Sequence, residues 1–182
     1  DYATFGFSVQ DSLGAFDTLP NTLLIDITPA NDAPDARDDS NATTEGATIT
    51  VGAADGVIQS GGLPGGRDSD VDGDTLTVTG IAFGGTAGSI GAPIVGAHGT
   101  LTLNTDGSYT YVPAASTDAL NTGESVQDRF TYTVSDGQGG TASATLTITV
   151  RGESDAPVAT PDVATTTEDT PISLPVLAND QP

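Results

Sequence analysis

The chain has 182 residues, enough for one or two ordinary domains. Its 25 acidic residues face four arginines and no lysine, and the formal net charge is -21. That balance excludes a surface built for phosphate backbones or for anionic membranes. The absence of cysteine rules out disulfides and thiolate metal sites, so something else must hold the fold in an oxidising compartment. No apolar run reaches the length of a membrane span. No signal peptide and no methionine are visible, and the chain reads as a section of a longer polypeptide. Threonine alternates with Leu, Val and Ile, which is the pattern of half-buried strands rather than of disorder. Helix is expected to be scarce, because helical spacing is everywhere broken by Gly or Pro.

In chain order, Thr48 to Val51 is a short strand candidate. Gly52 to Asp72 reads as a long loop, broken by Leu63-Pro64-Gly65-Gly66. Thr75 to Ile81 alternates, with Leu76 and Val78 on one face. Gly84 to Gly96 is glycine-rich, with a weak strand at Ile94-Val95. Thr100 to Leu103 and Ser108 to Val112 flank Asn104-Thr105-Asp106-Gly107, the clearest hairpin, and Pro113 ends its second strand. Asp128 to Val134 and Thr141 to Val150 form a second pair around a Gly-rich turn. Roughly seven short strands predict an all-β, antiparallel β-sandwich.

The chain also repeats itself. Thr22-Leu23-Leu24-Ile25-Asp26-Ile27 leads to Asn31-Asp32-Ala33-Pro34, and Thr145-Leu146-Thr147-Ile148-Thr149-Val150 leads to Ser154-Asp155-Ala156-Pro157, at an offset of 123. Asp39 and Asp162, and Glu45 and Glu168, keep that offset. Phe5-Gly6-Phe7-Ser8-Val9-Gln10-Asp11 mirrors Phe130-Thr131-Tyr132-Thr133-Val134-Ser135-Asp136 at an offset of 125, with the difference expected in the intervening turn. Residues 1–30 are thus the tail of one repeat, 31–153 a complete repeat and 154–182 the opening of the next. The flanking pieces are expected to lack partners, or to complete another copy in a fibre or crystal.

The acids are clustered. Asp68, Asp70, Asp72 and Asp74 alternate within seven residues. Carboxylates that close repel unless a cation sits among them, and calcium accepts six to eight oxygens in a flexible cage. Asp68 to Gly73 satisfies the D-x-D-x-D-G opening of an EF-hand, but Thr79 stands where that loop requires Glu, and strand alternation follows. The pattern predicts a calcium loop of a β-sandwich. A second cluster, Asp26 to Asp39 followed by Glu45, recurs as Asp155, Asp162 and Glu168 at the next boundary. His98 beside Gly99 reads as a turn residue, no nucleophile elbow surrounds a serine, and aromatic sugar platforms are nearly absent. No enzyme is expected.

Asn31-Asp32-Ala33-Pro34, Asp70-Val71-Asp72-Gly73-Asp74-Thr75-Leu76-Thr77-Val78, Gly99 to Tyr111, Phe130 to Gly137 and Gly139-Gly140-Thr141 together resemble the VCBS and bacterial cadherin-like tandem repeats of large secreted, RTX-type adhesins. The resemblance implies immunoglobulin/cadherin-like sandwiches joined end to end, with calcium at the junctions. It carries the ligand role to Asp32, Glu45, Asp72, Asp74 and Asp136, and in the next copy to Asp155 and Glu168. Asn179-Asp180 resembles the start of that copy's acid loop. The complete repeat departs here, with Ala54-Asp55 and an insertion from Gly56 to Arg67. The function implied is a calcium-stiffened spacer of an adhesin at the bacterial surface, supporting adhesion or biofilm. Its partners would be adjacent repeats, or other copies, with no nucleic acid and no membrane insertion. The rival readings are a subunit of an extracellular fibre or matrix and a glycan- or protein-binding module.

Overall fold

The computed structural model describes residues 2–19, 21–59 and 66–180. The chain divides into two compact units, Asp1–Asp32 and Ala33–Pro182. The loop residues Leu63, Pro64 and Gly65 lie outside the described residues.

The first unit is an antiparallel hairpin of β1 (Tyr2–Phe7) and β2 (Asn21–Asp26). The second is the expected all-β sandwich. Its strands are β3 (Asp39–Thr44), β4 (Ile49–Val51), β5 (Thr77–Phe83), β6 (Thr86–Gly88), β7 (Pro93–Val95), β8 (Gly99–Leu103), β9 (Tyr109–Pro113), β10 (Ser125–Ser135) and β11 (Thr141–Arg151). A five-stranded sheet in the order β3-β11-β10-β5-β6 faces a four-stranded sheet in the order β4-β9-β8-β7. Two short 3-10 turns, Ala53–Asp55 and Ala115–Ala119, are the helical elements among the described residues.

Three features depart from the sequence reading. β3 was not expected as a strand, and it pairs parallel to β11, so the sandwich is not purely antiparallel. β6 forms inside the glycine-rich stretch after β5. The Gly52 to Asp72 segment is not simply a surface loop, since it sends Val57 and Ile58 into the core, 0% and 5% exposed. A bulge opposite Thr133/Val134 shifts the phase of β5 by one residue. Leu76 and Val78 on one side of that shift, and Ile81 on the other, are therefore all buried.

The core joins Phe130, Tyr132, Val134, Leu146, Ile148 and Val150 of one sheet to Leu101, Leu103, Tyr109 and Tyr111 of the other. Phe130 packs against Phe83 with the rings tilted by 46° and centroids 5.0 Å apart, and meets Tyr111 edge-on at 6.3 Å. Polar groups also cross between the sheets. Asn41 donates to the Tyr109 hydroxyl at 2.8 Å, and the Tyr111 hydroxyl donates to Asp128 at 2.9 Å.

Asp128 is 1% exposed and faces no cation in this network. Its Oδ1 accepts the backbone N–H groups of Ala97 and His98 at 2.9 and 3.1 Å, and its Oδ2 accepts His98 N–H and the Tyr111 hydroxyl. His98, the one histidine, acts here through its backbone. The carboxylate pins the turn between β7 and β8 onto the opposite sheet. Gly96 is required there, because a Cβ would overlap the carboxylate. We expect Asp128→Ala to leave buried donors unpaired and to cost about 3 kcal/mol. Denaturant unfolding should show a lower midpoint at an unchanged m-value, and a loss below about 0.5 kcal/mol would contradict this account.

Candidate metal centre

The run from Asp68 to Asp74 is held between the core and the start of β5. Ser69 and Asp35 exchange backbone hydrogen bonds at 2.8 and 3.0 Å, and Asp68 N–H donates to Ile58 C=O at 3.0 Å. The strand-like anchor at Ser69 fixes the loop's entry. Asp70 then shapes the turn, with its Oδ1 accepting Asp72 N–H at 2.9 Å and Asp74 N–H at 3.4 Å. Gly73 takes φ +82°, a left-handed conformation that glycine adopts without strain, and donates to Asp70 C=O.

This turn gathers three carboxylates. Asp70, Asp72 and Asp74 each present an oxygen, all within 4.8 Å of one another. The cluster can chelate a metal. The Oδ2 of Asp70 is buried and accepts no hydrogen bond. Burial together with the charges of Asp70, Asp136 and Asp72 raises the Asp74 carboxyl above its usual range. Asp136 lies beside this group, on the β10–β11 turn, and is nearly buried. Its Oδ1 accepts N–H groups from Gln138, Gly139 and Gly140 at 2.7, 3.0 and 3.0 Å, and its Oδ2 accepts Gly140 at 3.1 Å. Gly140 packs against both this carboxylate and Ala33, leaving no room for a side chain.

Asp68, expected with the other three, turns inward instead. It is 2% exposed, and its Oδ1 accepts Arg37 N–H at 2.8 Å. The Tyr132 hydroxyl lies 2.9 Å from Asp39 Oδ2, 2.8 Å from Arg37 C=O and 3.4 Å from Asp68 Oδ2. Two buried carboxyls and a phenol thus share one polar pocket in the core. Burial first, and then the charge of Asp39, push the Asp68 carboxyl up to about 6, against the opposing hydrogen bond from Arg37 N–H. Sequence reading did not single out the inward roles of Asp39 and Asp128. The signal for Asp128 was its phase, since it alternates with Phe130, Tyr132 and Val134 along β10.

Glu45 is not brought to the aspartate cluster. β3 runs parallel to β11, so Glu45 sits where β11 ends, bonded through its N–H to Arg151 C=O. Asp136 lies at the opposite end of β11, about 30 Å away at the usual rise per strand residue. Glu45 Oε1 accepts Glu153 N–H at 2.6 Å, and its Oε2 is buried without a partner. Beside it, Asn121, Thr122, Glu153, Ser154 and Asp155 line a cavity of about 300 Å³. Asp32 is exposed at the end of the first unit, and Glu168 is exposed in a turn of the C-terminal segment. Of the expected ligands, Asp70, Asp72, Asp74 and Asp136 therefore lie at one pole of the sandwich and Glu45 and Asp155 at the other.

A family model described as bacterial cadherin-like domain matches residues 31–152. Over 89 residues the chain is 37% identical to the calcium-binding lectin RapA2 of Rhizobium johnstonii, an alignment covering 48% of this chain and 38% of that protein. The chain thus spans about two-fifths of that relative's length. A nucleoside hydrolase-related hypothetical protein from Saccharophagus degradans superposes with a TM-score of 0.37 at 15% identity, covering 68% of this chain and 26% of that one, too loosely to bear on activity.

The Asp68 pocket has a pH consequence. Its folded-state value of about 6 lies above the ordinary 3.8, so the folded state holds this proton more tightly than the unfolded chain. The stability it contributes is full below pH 3.8 and is lost as pH rises through about 6. In chelator, the unfolding midpoint should fall across that window, and Asp68→Asn should flatten the fall. An unchanged pH profile in the variant would show that another group carries it.

Proposed function

The chain belongs to the bacterial cadherin-like domain family, and from that premise we propose that it is a calcium-stiffened spacer of an extracellular bacterial adhesin, built from tandem repeats. The observation that carries this reading is the Asp70, Asp72 and Asp74 triad, with the Asp70 oxygen buried and unpartnered. Three clustered carboxylates with one desolvated oxygen are costly when empty and favourable around a hard divalent cation. Asp136 adds negative charge beside them. Calcium suits the all-oxygen donor set, and no cysteine competes for a softer metal.

The two-pole distribution supports a junction role. In an array, the Glu45 and Asp155 pole of one repeat would abut the aspartate pole of the next. A cation between them would replace repulsion between like charges with a shared ligand cage. Repeated local geometry supports the tandem frame. Thr43 Oγ1 donates to Ala47 C=O, and Thr166 Oγ1 to Thr170 C=O, both at 2.7 Å. Gly46 and Asp169, 123 residues apart, take φ of 72° and 65° in the two turns. Among the described residues no helix is long and apolar enough to cross a membrane, in keeping with an extracellular module. Hydrolase activity is not part of this reading, and a hydrolase screen tests that.

The similarity to a calcium-binding lectin favours a second reading, in which the same loop presents calcium to a carbohydrate. A glycan array with and without chelator separates the two, because a spacer binds no glycan under either condition.

Calcium at about a hundredfold excess over its dissociation constant should stabilise the fold by about 2.7 kcal/mol and raise the melting temperature by about 10 °C. Asp72→Asn with Asp74→Asn should remove most of that rise while leaving the melting temperature in chelator equal or higher. Equilibrium dialysis that finds no ion on the native chain in millimolar calcium would end the calcium reading.

A further inference from the structure

The segment from Gly56 to Arg67 is where the complete repeat departs from the pattern it resembles, and both of its ends are pinned. Val57 N–H donates to Gly107 C=O and Asp68 N–H donates to Ile58 C=O, each at 3.0 Å. Ile58 is thereby held against Gly107 in the β8–β9 turn. Between this segment and the acid loop lies a cavity of about 410 Å³, in the size range of small-molecule sites. Its wall is set by backbone hydrogen bonds before any ligand arrives.

The lining divides by chemistry. Ile58 and Leu76, 5% and 9% exposed, give the cavity an apolar patch. Asp70 and Asp74 bring the candidate metal centre to its edge, and the Asp70 Oδ2 is buried without a hydrogen bond. Gln59 and Arg67 add exposed donors. Arg67 shares the cavity with the carboxylates of Asp68, Asp70 and Asp74, yet among the described residues it forms no ion pair. Its guanidinium fork is therefore open to a ligand. Even with Arg67 and one divalent cation counted, the carboxylates of Asp70, Asp72, Asp74 and Asp136 keep the site net negative, in a chain of net charge -21. That charge repels an acidic ligand and admits a neutral one.

We propose that this cavity binds a neutral saccharide, with adjacent sugar hydroxyls completing the calcium shell at Asp70 and Asp74 while Gln59 and Arg67 donate to its other oxygens. The proposal rests on the second reading above, calcium presented to a carbohydrate, and adds to it the cavity, the donor residues and the neutrality of the sugar. Calcium takes six to eight oxygens, so three carboxylates leave room for a pair of hydroxyls. The apolar patch of Ile58 and Leu76 receives the C–H face of the ring, which removes that face from water. The donors come from the segment that departs from the repeat pattern, so a repeat lacking Gly56 to Arg67 would hold the ion without holding the sugar.

Saturation-transfer NMR on the full chain tests this, with the methyl glycosides of mannose, galactose and fucose as neutral probes and glucuronic acid as the acidic one, in calcium and in chelator. At least one neutral glycoside should receive saturation in calcium, none should in chelator, and glucuronic acid should receive less in both. Gln59→Ala with Arg67→Ala, both at exposed positions, should weaken the neutral glycoside at least about tenfold. The same double variant should keep the calcium-induced rise in melting temperature, because neither residue belongs to the carboxylate cluster. No transfer from any neutral glycoside, alongside an intact calcium-induced rise, would overturn the saccharide site and leave the calcium site standing. Loss of both signals in the native chain would overturn the calcium reading and the saccharide site together. Transfer that persists in chelator or in the double variant, or that is stronger for glucuronic acid, would also overturn the proposal.

Discussion

The constraint that organises this molecule is the placement of carboxylates in a chain with almost no cations. Four arginines cannot pair with 25 acids, and Arg37–Asp35, the ion pair seen among the described residues, is largely exposed and contributes little. The buried acids are accommodated by other donors. Asp128 collects backbone amides and a phenol, Asp136 collects three amides of its own turn, and Asp39 and Asp68 meet the Tyr132 hydroxyl. Charge-assisted bonds of this kind are stronger than neutral ones and fix geometry as well as charge. They tie loops to strands in a chain that has no cysteine and so no disulfides.

That solution leaves a remainder. A tight turn such as Asp70 to Asp74 spends its amides on one carboxylate oxygen of Asp70, and the other, Oδ2, is buried without a donor. The same holds at the opposite pole, where Glu45 uses one oxygen on Glu153 N–H and buries the other. Among the described residues, the two buried oxygens without a donor, on Asp70 and Glu45, thus lie at the two ends of the sandwich.

Legibility followed the same physics. The β8–β9 and β10–β11 hairpins were readable because apolar and threonine residues alternate on either side of a glycine turn. β3 was not, because the residues it turns inward are polar. Asp39 and Asn41 are satisfied by tyrosine hydroxyls that only the folded sandwich brings within reach. Val57 and Ile58 were hidden inside a glycine-rich stretch whose contribution to the core depends on contacts far along the chain. Val57 N–H, for instance, donates to Gly107 C=O in the β8–β9 turn. The acid loop was legible as a cluster, but the inward turn of Asp68 was not. Alternation places it with Asp70, whereas the backbone bridge at Ser69 and the bond from Arg37 N–H reverse it.

The two hairpins separate what local sequence decides from what neighbours decide. β1–β2 and β10–β11 share register, turn hydrogen bonds and aromatic positions, so local pairing and turn chemistry suffice to build the ribbon. The two extra residues of the first hairpin fall between Phe16 and Asn21, within the connection between β1 and β2 where the sequence placed them, and leave the Asp11 to Ala15 turn intact. Burial, however, is supplied from outside. Each half-exposed core residue of β1–β2 forgoes about 1 kcal/mol that its counterpart gains beneath the second sheet. A hairpin alone is marginal in water, and three or more covered strands are needed for independent stability. The sandwich is thus the unit of stability, and its strands, from Asp39 to Arg151, all lie within the residues 31–152 that the family model matches.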